Sequence, residues 1–229
     1  QTLIGTALDI SGDIDVDGAA NFAADVTFAN GADIITASAG TSNFRAGVNA
    51  GNSIASGGNY NVVVGDEAGT ALTTGDGNVA IGFEALSTED ANGHNTAIGY
   101  QSLKTLNAGA NSRNVAVGYQ AGLDMTTGIR NVLMGTFAGA NLVAGSNNTA
   151  FGEQALITDR NGHHSTALGH AALASQDFAT ATDSNNTAVG YNAGLSVTTG
   201  TSNTLIGGQA GDAITTGGSN VALGTSALS

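Results

Sequence analysis

Residues 95 to 103 read NTAIGYQSL, and nineteen residues later the chain repeats the pattern as NVAVGYQAG, from 114 to 122. Both segments carry Asn, a β-branched residue, a small residue, an apolar residue, Gly, two variable residues, a small residue, and Gly or Leu, numbered here as positions one to nine. A short run of alternating β-branched or apolar and small residues, bounded by the turn formers Asn and Gly, is typical of a short β-strand. One copy is too short to bury its own apolar side chains, so we expect copies to stack.

The motif occurs eleven times along the chain, and its copies begin at Asn43, Asn61, Asn78, Asn95, Asn114, Asn131, Asn148, Ser165, Asn186, Asn203 and Asn220. Position five is Gly in every copy, at Gly47, Gly65, Gly82, Gly99, Gly118, Gly135, Gly152, Gly169, Gly190, Gly207 and Gly224. The usual spacing, as from Asn61 to Asn78, is too short for a two-helix repeat. The sequence therefore predicts an all-β fold, a parallel β-solenoid (β-roll) of about eleven coils over residues 43 to 229.

A slower period lies on top of this one. Successive copies end in Gly, Gly, Leu and Leu, so that four copies form one larger unit, the first of which begins at Asn43 and the second at Asn114. The two longest spacings, from Asn95 to Asn114 and from Ser165 to Asn186, both fall where one such unit ends and the next begins.

Each motif position has an expected role. Positions two and four should fill the interior, and position five should need Gly because the chain bends there or because another backbone passes close. Positions three and eight are mostly Ala, so both strand faces look covered, which predicts that another copy of the chain packs outside in a symmetric bundle. Stacked Asn amides at position one should form a hydrogen-bonded ladder, broken once at Ser165; its members are Asn61, Asn78, Asn95, Asn114, Asn131, Asn148, Asn186, Asn203 and Asn220.

Composition excludes several functional classes. The chain of 229 residues has 18 acidic against 5 basic side chains, which disfavours nucleic acid and anionic membranes as partners. No apolar stretch approaches the roughly 20 residues needed to span a bilayer. Because Cys is absent, disulfides and thiolate metal sites are impossible, and no cofactor is expected.

The first 42 residues lack the motif. They show a different alternation of apolar residues, at Ile14 and Val16 and again at Val26 and Phe28, with Gly18 as a turn former between the two. This pattern predicts an N-terminal β segment or cap, since the open edge of a solenoid needs cover.

The segments NTAIGYQSL, NVAVGYQAG, NTAFGEQAL and NTAVGYNAG, with their TTG linkers, resemble the tail-fibre repeats of bacteriophages. They are also similar to the head repeats of trimeric autotransporter adhesins, whose unit is generally shorter than the repeat of this chain. The resemblance implies a homotrimeric β-roll on a virion, or alternatively on a bacterial cell surface. Its implied partners are other virion tail proteins and a bacterial surface glycan or protein receptor. We therefore predict a structural fibre segment that positions or provides host binding, without membrane insertion.

Position six supplies the candidate receptor contacts. In register along a stack, exposed rings there could contact a surface glycan, because an aromatic face offers area without demanding one partner. Packing between chains of the trimer is the favoured alternative. The residues are Phe83, Tyr100, Tyr119, His170 and Tyr191.

The linkers 87 to 95 and 157 to 165 combine acidic residues with Asn-Gly-His. A threefold axis could gather these His residues into a metal site, but Asn-Gly is above all a turn dipeptide, so no metal is predicted. Calcium binding at 74 to 78 is rejected because Asp76 has no acidic companions. The histidines concerned are His94, His163, His164 and His170.

Two further classes are weighed and set aside. Thr pairs such as Thr73 and Thr74 could form an ice-binding face, but they are missing from several copies. A glycan depolymerase would need two carboxylates facing one cleft. The possible pairs, Glu89 with Asp90 and Glu153 with Asp159, are better interpreted as solvated turn charges, so no enzymatic activity is expected.

Overall fold

A computed structural model describes residues 39 to 109 and 111 to 229. Within these residues the chain forms thirteen short strands and no helix. The strands are β1 (Phe44–Ala46), β2 (Val62–Val64), β3 (Val79–Ile81), β4 (Thr96–Ile98), β5 (Val115–Val117), β6 (Val132–Met134), β7 (Thr149–Phe151), β8 (Gly162–His163), β9 (Thr166–Leu168), β10 (Thr182–Asp183), β11 (Thr187–Val189), β12 (Thr204–Ile206) and β13 (Val221–Leu223).

Eleven of these strands form one parallel sheet, with one strand from each copy of the motif. The order is β1-β2-β3-β4-β5-β6-β7-β9-β11-β12-β13, and equal motif positions pair, as Ala80 does with Ala97. Each copy therefore makes one complete turn of the coil. The predicted parallel β-solenoid of about eleven coils is confirmed, although each of these strands spans only three residues and the rest of each coil consists largely of turns.

The interior is lined by the opposite face from the one predicted. Ala80, Ala97 and Ala116 at position three are fully buried, while positions two and four lie at the surface. Successive strand residues point to opposite faces, so burying Asn at position one and Ala at position three forces positions two and four outward. The expectation that positions two and four fill the interior was wrong.

The narrow core is instead filled from the turns. Position eight is buried and small, and larger side chains come from position twelve, the third residue after the motif, as at Leu72, Met125 and Leu142. Four of the five coils whose motif ends in Leu add a second large buried side chain at position nine, whereas Leu228 of the last coil is exposed. The four buried residues are Leu86, Leu103, Leu156 and Leu173.

Position five combines both proposed reasons for Gly. At Gly99 the backbone φ is +134°, a conformation that other residues rarely adopt. A Cβ added there would lie 2.2 Å from the carbonyl oxygen of Gly118 on the next coil, so the backbones of neighbouring coils approach too closely for any side chain.

Position one forms a hydrogen-bonded column through the core. Asn78 donates its backbone N–H to Oδ1 of Asn61 at 2.8 Å and accepts the N–H of Asn95 on its own Oδ1 at 3.0 Å. Asn131 also donates from Nδ2 to the turn carbonyl of Gly145 at 2.9 Å. Each buried amide therefore satisfies backbone groups of two coils, which ties the coils together.

The solenoid lies in the unit that comprises residues 35 to 229. The predicted N-terminal β segment, residues 1 to 42, lies outside the described residues except for 39 to 42. In the described part of the chain, no helix exists that could cross a bilayer.

Candidate functional surface

The outer face of the eleven-stranded sheet is a continuous strip of uncharged side chains, apolar at position four and Val, Thr or Phe at position two, and it is termed here the outer sheet face. It consists of positions two and four, and neither position carries a charged residue in any copy. Phe151 and Leu168 are 49% and 42% exposed. A soluble protein rarely leaves a long contiguous apolar patch uncovered unless it binds something. The position-four residues are Ala46, Val64, Ile81, Ile98, Val117, Met134, Phe151, Leu168, Val189, Ile206 and Leu223.

The position-six rings stack on each other along the coil axis. The ring centroids of Phe83 and Tyr100 are 5.3 Å apart, and those of Tyr100 and Tyr119 are 5.2 Å apart with planes only 8° from parallel. Phe137, at position seven of the next coil, caps Tyr119 edge-on at 5.3 Å. Both faces of Tyr100 are thus occupied by protein, which leaves the ring edges and the hydroxyl groups for any outside partner.

The other two predicted rings form a second, shorter stack. His170 and Tyr191 have centroids 5.4 Å apart and planes 20° from parallel. The structure therefore brings the five predicted contact residues into two groups, Phe83 with Tyr100 and Tyr119, and His170 with Tyr191. Glycan contact by these residues stays a prediction.

Amide and carboxylate side chains at position seven, next to the position-six rings, form a hydrogen-bonded ladder from coil to coil. Gln120 donates from Nε2 to Oε1 of Gln101 at 2.7 Å, and Gln101 donates to Oε2 of Glu84 at 2.7 Å. Lys104 pairs with the same Glu84 oxygen at 2.7 Å. The hydrogen bonds from Lys104 and Gln101 lower the pKa of Glu84. The recurrence of Gln and Glu at position seven would have revealed this ladder in the sequence.

The histidine-containing linkers lie on the turns. Nδ1 of His163 accepts the backbone N–H of Ser146 at 2.9 Å, and His164 lies 3.2 Å from Asp183. Among the described residues, no group of three or more His, Cys, Asp or Glu side chains could hold a metal ion. His163 therefore lies in β8 and His164 directly after it, where both make hydrogen bonds or ion pairs within the second four-copy unit.

Two of the acidic residues predicted to be solvated are instead buried in the core. Glu89 and Asp159 are 0% exposed, whereas Asp90 and Glu153 are exposed. Both buried acids occupy position twelve, where the other coils place Ile, Leu, Met, Val or Gln. The interpretation of Glu89 and Asp159 as solvated turn charges was wrong, because position twelve points into the solenoid. Since only one member of each suggested pair is exposed, neither pair faces a common cleft.

Asp159 is buried within a polar network. Its Oδ2 accepts from Nε2 of Gln176 at 2.6 Å, and its Oδ1 accepts the backbone N–H of Gly162 at 3.0 Å. Gln176 also donates to Oγ of Ser165 at 2.8 Å and accepts from Nδ2 of Asn186 at 2.8 Å. Burial raises the pKa of Asp159 despite these hydrogen bonds. The Gln176 amide thus bridges the coils where Ser165 replaces the usual Asn.

Glu89 is less well satisfied. Its Oε1 accepts from Nδ2 of Asn92 at 2.8 Å, but its buried Oε2 has no hydrogen-bond partner among the described residues. Burial raises the pKa of Glu89. Lys104, the basic residue of the following coil, is paired with Glu84 and not with Glu89.

The Thr pairs serve the contacts between coils. In three of the four Thr pairs the first Thr donates its hydroxyl to a backbone carbonyl of the next coil, from Thr73 to Asp90 at 3.1 Å, from Thr126 to Val143 at 3.2 Å and from Thr198 to Thr215 at 3.2 Å. The second Thr, as at Thr74 and Thr127, is exposed. The first hydroxyl of these three pairs is therefore engaged within the solenoid.

Comparison with known proteins adds no identification. No family model, no curated protein and no solved structure matches this chain. The functional argument therefore rests on the fold, the surface chemistry and the sequence resemblance.

Proposed function

We propose that this chain is a shaft segment of a homotrimeric bacteriophage tail fibre, which positions a host-binding surface away from the virion. The observation that carries the proposal is the outer sheet face. The sequence-based reason for a second chain, that small residues cover both strand faces, no longer holds because positions three and eight point inward. The uncharged, largely apolar strip on the outside gives a stronger reason, since such a surface is usually covered by a partner.

A copy of the same chain fits this strip best. The strip is two residues wide and carries one such pair on every coil, so a straight, self-complementary surface of equal length is needed to cover it. Rotational symmetry places identical strips around a common axis, and three strips form a closed, mostly apolar core. The acidic remainder of the surface then faces solvent.

The mechanical properties also suit a fibre. Neighbouring coils are joined by sheet hydrogen bonds, by turn hydrogen bonds such as Gly122 N–H to Ala138 O at 3.0 Å and, except where Ser165 replaces Asn, by the buried Asn column. These bonds run along the stack, so bending or proteolytic entry requires several to break together. The proposed partners are other tail proteins and a bacterial surface receptor. The head domain of a bacterial trimeric adhesin is the second candidate, since the outer sheet face supports it equally.

Oligomeric state tests the proposal. Light scattering coupled to size exclusion should give the mass of three chains, and the melting temperature should rise with protein concentration. Ile98→Asp combined with Val117→Asp on the outer sheet face should yield single chains, because three charges per coil would meet at the axis. Thr199→Asp, on the exposed turn side, is the matched control and should remain trimeric. A wild-type chain that stays monomeric over a hundredfold range of concentration would overturn the proposal.

A further inference from the structure

Gly208 interrupts the row of position-six residues beside Tyr191. Strands β11 and β12 pair in register, so Gly208 is the position-six neighbour of Tyr191 on the next coil. His170 covers one face of the Tyr191 ring. The other face looks toward a residue without a side chain, and Tyr191 is 58% exposed compared with 43% and 45% for Tyr100 and Tyr119.

The backbone does not require glycine at this position. A Cβ added to Gly208 would have the carbonyl oxygen of Tyr191, at 4.0 Å, as its nearest neighbour. At Gly207, by contrast, an added Cβ would lie 2.4 Å from the carbonyl oxygen of Gly224. Gly208 also lies outside the left-handed φ region that favours glycine. The missing side chain therefore leaves an open slot that neither strain nor crowding explains.

The slot has the thickness of one ring. Neighbouring coils lie about 4.8 Å apart, so the coils that carry Tyr191 and Thr225 are separated by about 10 Å. The three stacked ring pairs have centroid spacings of 5.2, 5.3 and 5.4 Å. A ring seated over Gly208 would continue that spacing and lie against the free face of Tyr191.

Unused amides flank the slot. Asn192 and Gln209, at position seven of the two coils, make no side-chain hydrogen bond to any described residue. The corresponding amides beside the other stack, Gln101 and Gln120, bond to each other. A flat apolar face next to free planar amides matches a sugar ring, whose C–H face packs on an aromatic side chain while its hydroxyl groups bond to the amides.

Charge narrows the class of sugar. Residues 161 to 229 contain no Lys or Arg, and Asp212 follows closely on the coil that carries Gly208. No cation of this segment is therefore available to pair with the carboxylate of an acidic sugar. A neutral ring is favoured because it introduces no charge to be compensated.

The other rings offer no equivalent opening. Phe83 has Asp66, a carboxylate, at position six of the preceding coil, and Tyr119 is capped by Phe137. Among the stacked rings of the described residues, Tyr191 alone has glycine at position six of an adjacent coil.

We propose that the slot formed by Tyr191, Gly208, Asn192 and Gln209 binds a neutral pyranose ring of a cell-surface glycan. The inference rests on the proposed function, because it specifies the receptor contact of that fibre. The slot would bind a single sugar weakly. Repetition over the three chains of a fibre would strengthen attachment through multivalency.

Affinity electrophoresis of the full chain in native gels tests the slot. Gels containing dextran, mannan or galactan provide neutral pyranoses, and alginate gels provide an acidic polysaccharide. At least one neutral polymer should retard the wild-type chain relative to a gel without sugar. Gly208→Tyr, which fills the slot, and Tyr191→Ala, which removes its wall, should both abolish the retardation. Tyr60→Ala, at an exposed tyrosine outside both stacks, should leave it intact.

Three outcomes overturn the inference: retardation by none of the neutral polymers, retardation by alginate alone, or unchanged retardation of Gly208→Tyr. Light scattering on the same samples separates this result from the proposed function. A wild-type monomer would count against the trimeric fibre whatever the gels show. If Gly208→Tyr lowers the number of chains, the slot is a contact between chains and the sugar site is wrong.

Discussion

The third coils of the first two four-copy units place different acids at the same point of the core. Glu89 belongs to the coil that begins at Asn78, and Asp159 to the coil that begins at Asn148. Both are fully buried at position twelve. Asp159 is held by Gln176, the position-twelve residue of the following coil, whereas the residue that follows Glu89 is Leu106. The buried carboxyl group is therefore held by a side-chain amide of the following coil in one unit, whereas in the other Oε2 of Glu89 has no hydrogen-bond partner among the described residues.

The last coils of the two units also differ in how many polar contacts they make. Ser112 donates its hydroxyl to Oδ1 of Asn95 at 2.8 Å, and its counterpart Ser184 lies 2.5 Å from Oγ of Ser165. In the second unit the longer insertion also forms the small parallel pair β8 and β10, and the N–H of Phe178 points at Asp159. The Ser at position one is thus accompanied by a polar network that links Ser165, Gln176, Asp159 and Asn186.

Replacing Gln176 by Leu should produce the largest effect, because it gives the second unit the apolar neighbour found in the first. Asp159 Oδ2 would lose its donor and Asn186 one of its acceptors, so we expect a loss of about 3 kcal/mol in the free energy of unfolding. Thermal melting and urea unfolding at pH 7 measure it. Gln209→Leu, at an exposed amide, is the matched control and should change stability little. Equal stability of Gln176→Leu and wild type would show that the network is not stabilising.

Replacing Glu89 by Gln should change how stability depends on pH. Burial raises the pKa of Glu89 in the folded chain, so its contribution is fully present below the pKa of an unfolded glutamate and is lost as pH rises through the folded value. Glu89→Gln should therefore match wild type near pH 4 and exceed it at higher pH. The gain approaches about 1.4 kcal/mol for each pH unit by which folding raises the pKa.

Unfolding experiments from pH 4 to pH 8 test this behaviour. Glu153→Gln is the control, since Glu153 is exposed and its removal should not alter the pH profile in the same way. A Glu89→Gln variant that parallels wild type across this range would mean that Glu89 is not desolvated in solution.

The recurring residues were enough to predict the solenoid but not which side of each strand faces its interior. The regular repeat period and the invariant Gly at position five determined the solenoid, because each coil must match its neighbour at every position. The inward-facing side of each strand was predicted wrongly because most of the larger apolar residues of the motif lie at position four and, as Val, at position two. In so narrow a coil the interior accepts Ala at position three, and its volume is filled by residues from the turns, such as Leu72 and Leu103.

The buried acids were missed for a related reason. Glu89 and Asp159 lie in linkers rich in turn formers, where a charge is ordinarily solvated. Aligning the linkers as well as the motif would have placed them in a column with Leu72, Met125 and Leu142, and so in the core. The slot at Gly208 could not be found this way, because glycine in a repeat usually signals a backbone requirement, and only the structure shows that the backbone makes no such demand at Gly208.

The smallest expected effect comes from Leu106→Gln, which gives the first unit the neighbour found in the second. Replacing a buried Leu by a polar residue usually destabilises a protein by several kcal/mol. Here the new amide can donate to Oε2 of Glu89 as Gln176 does to Asp159, so we expect a net change within about 1 kcal/mol of zero. Leu72→Gln, on a coil with no buried acid, is the matched control and should be severely destabilised in the same melting experiment. If both Leu→Gln variants lose equal stability, the bare oxygen of Glu89 is not an available acceptor, and the two units differ in more than the neighbour at position twelve.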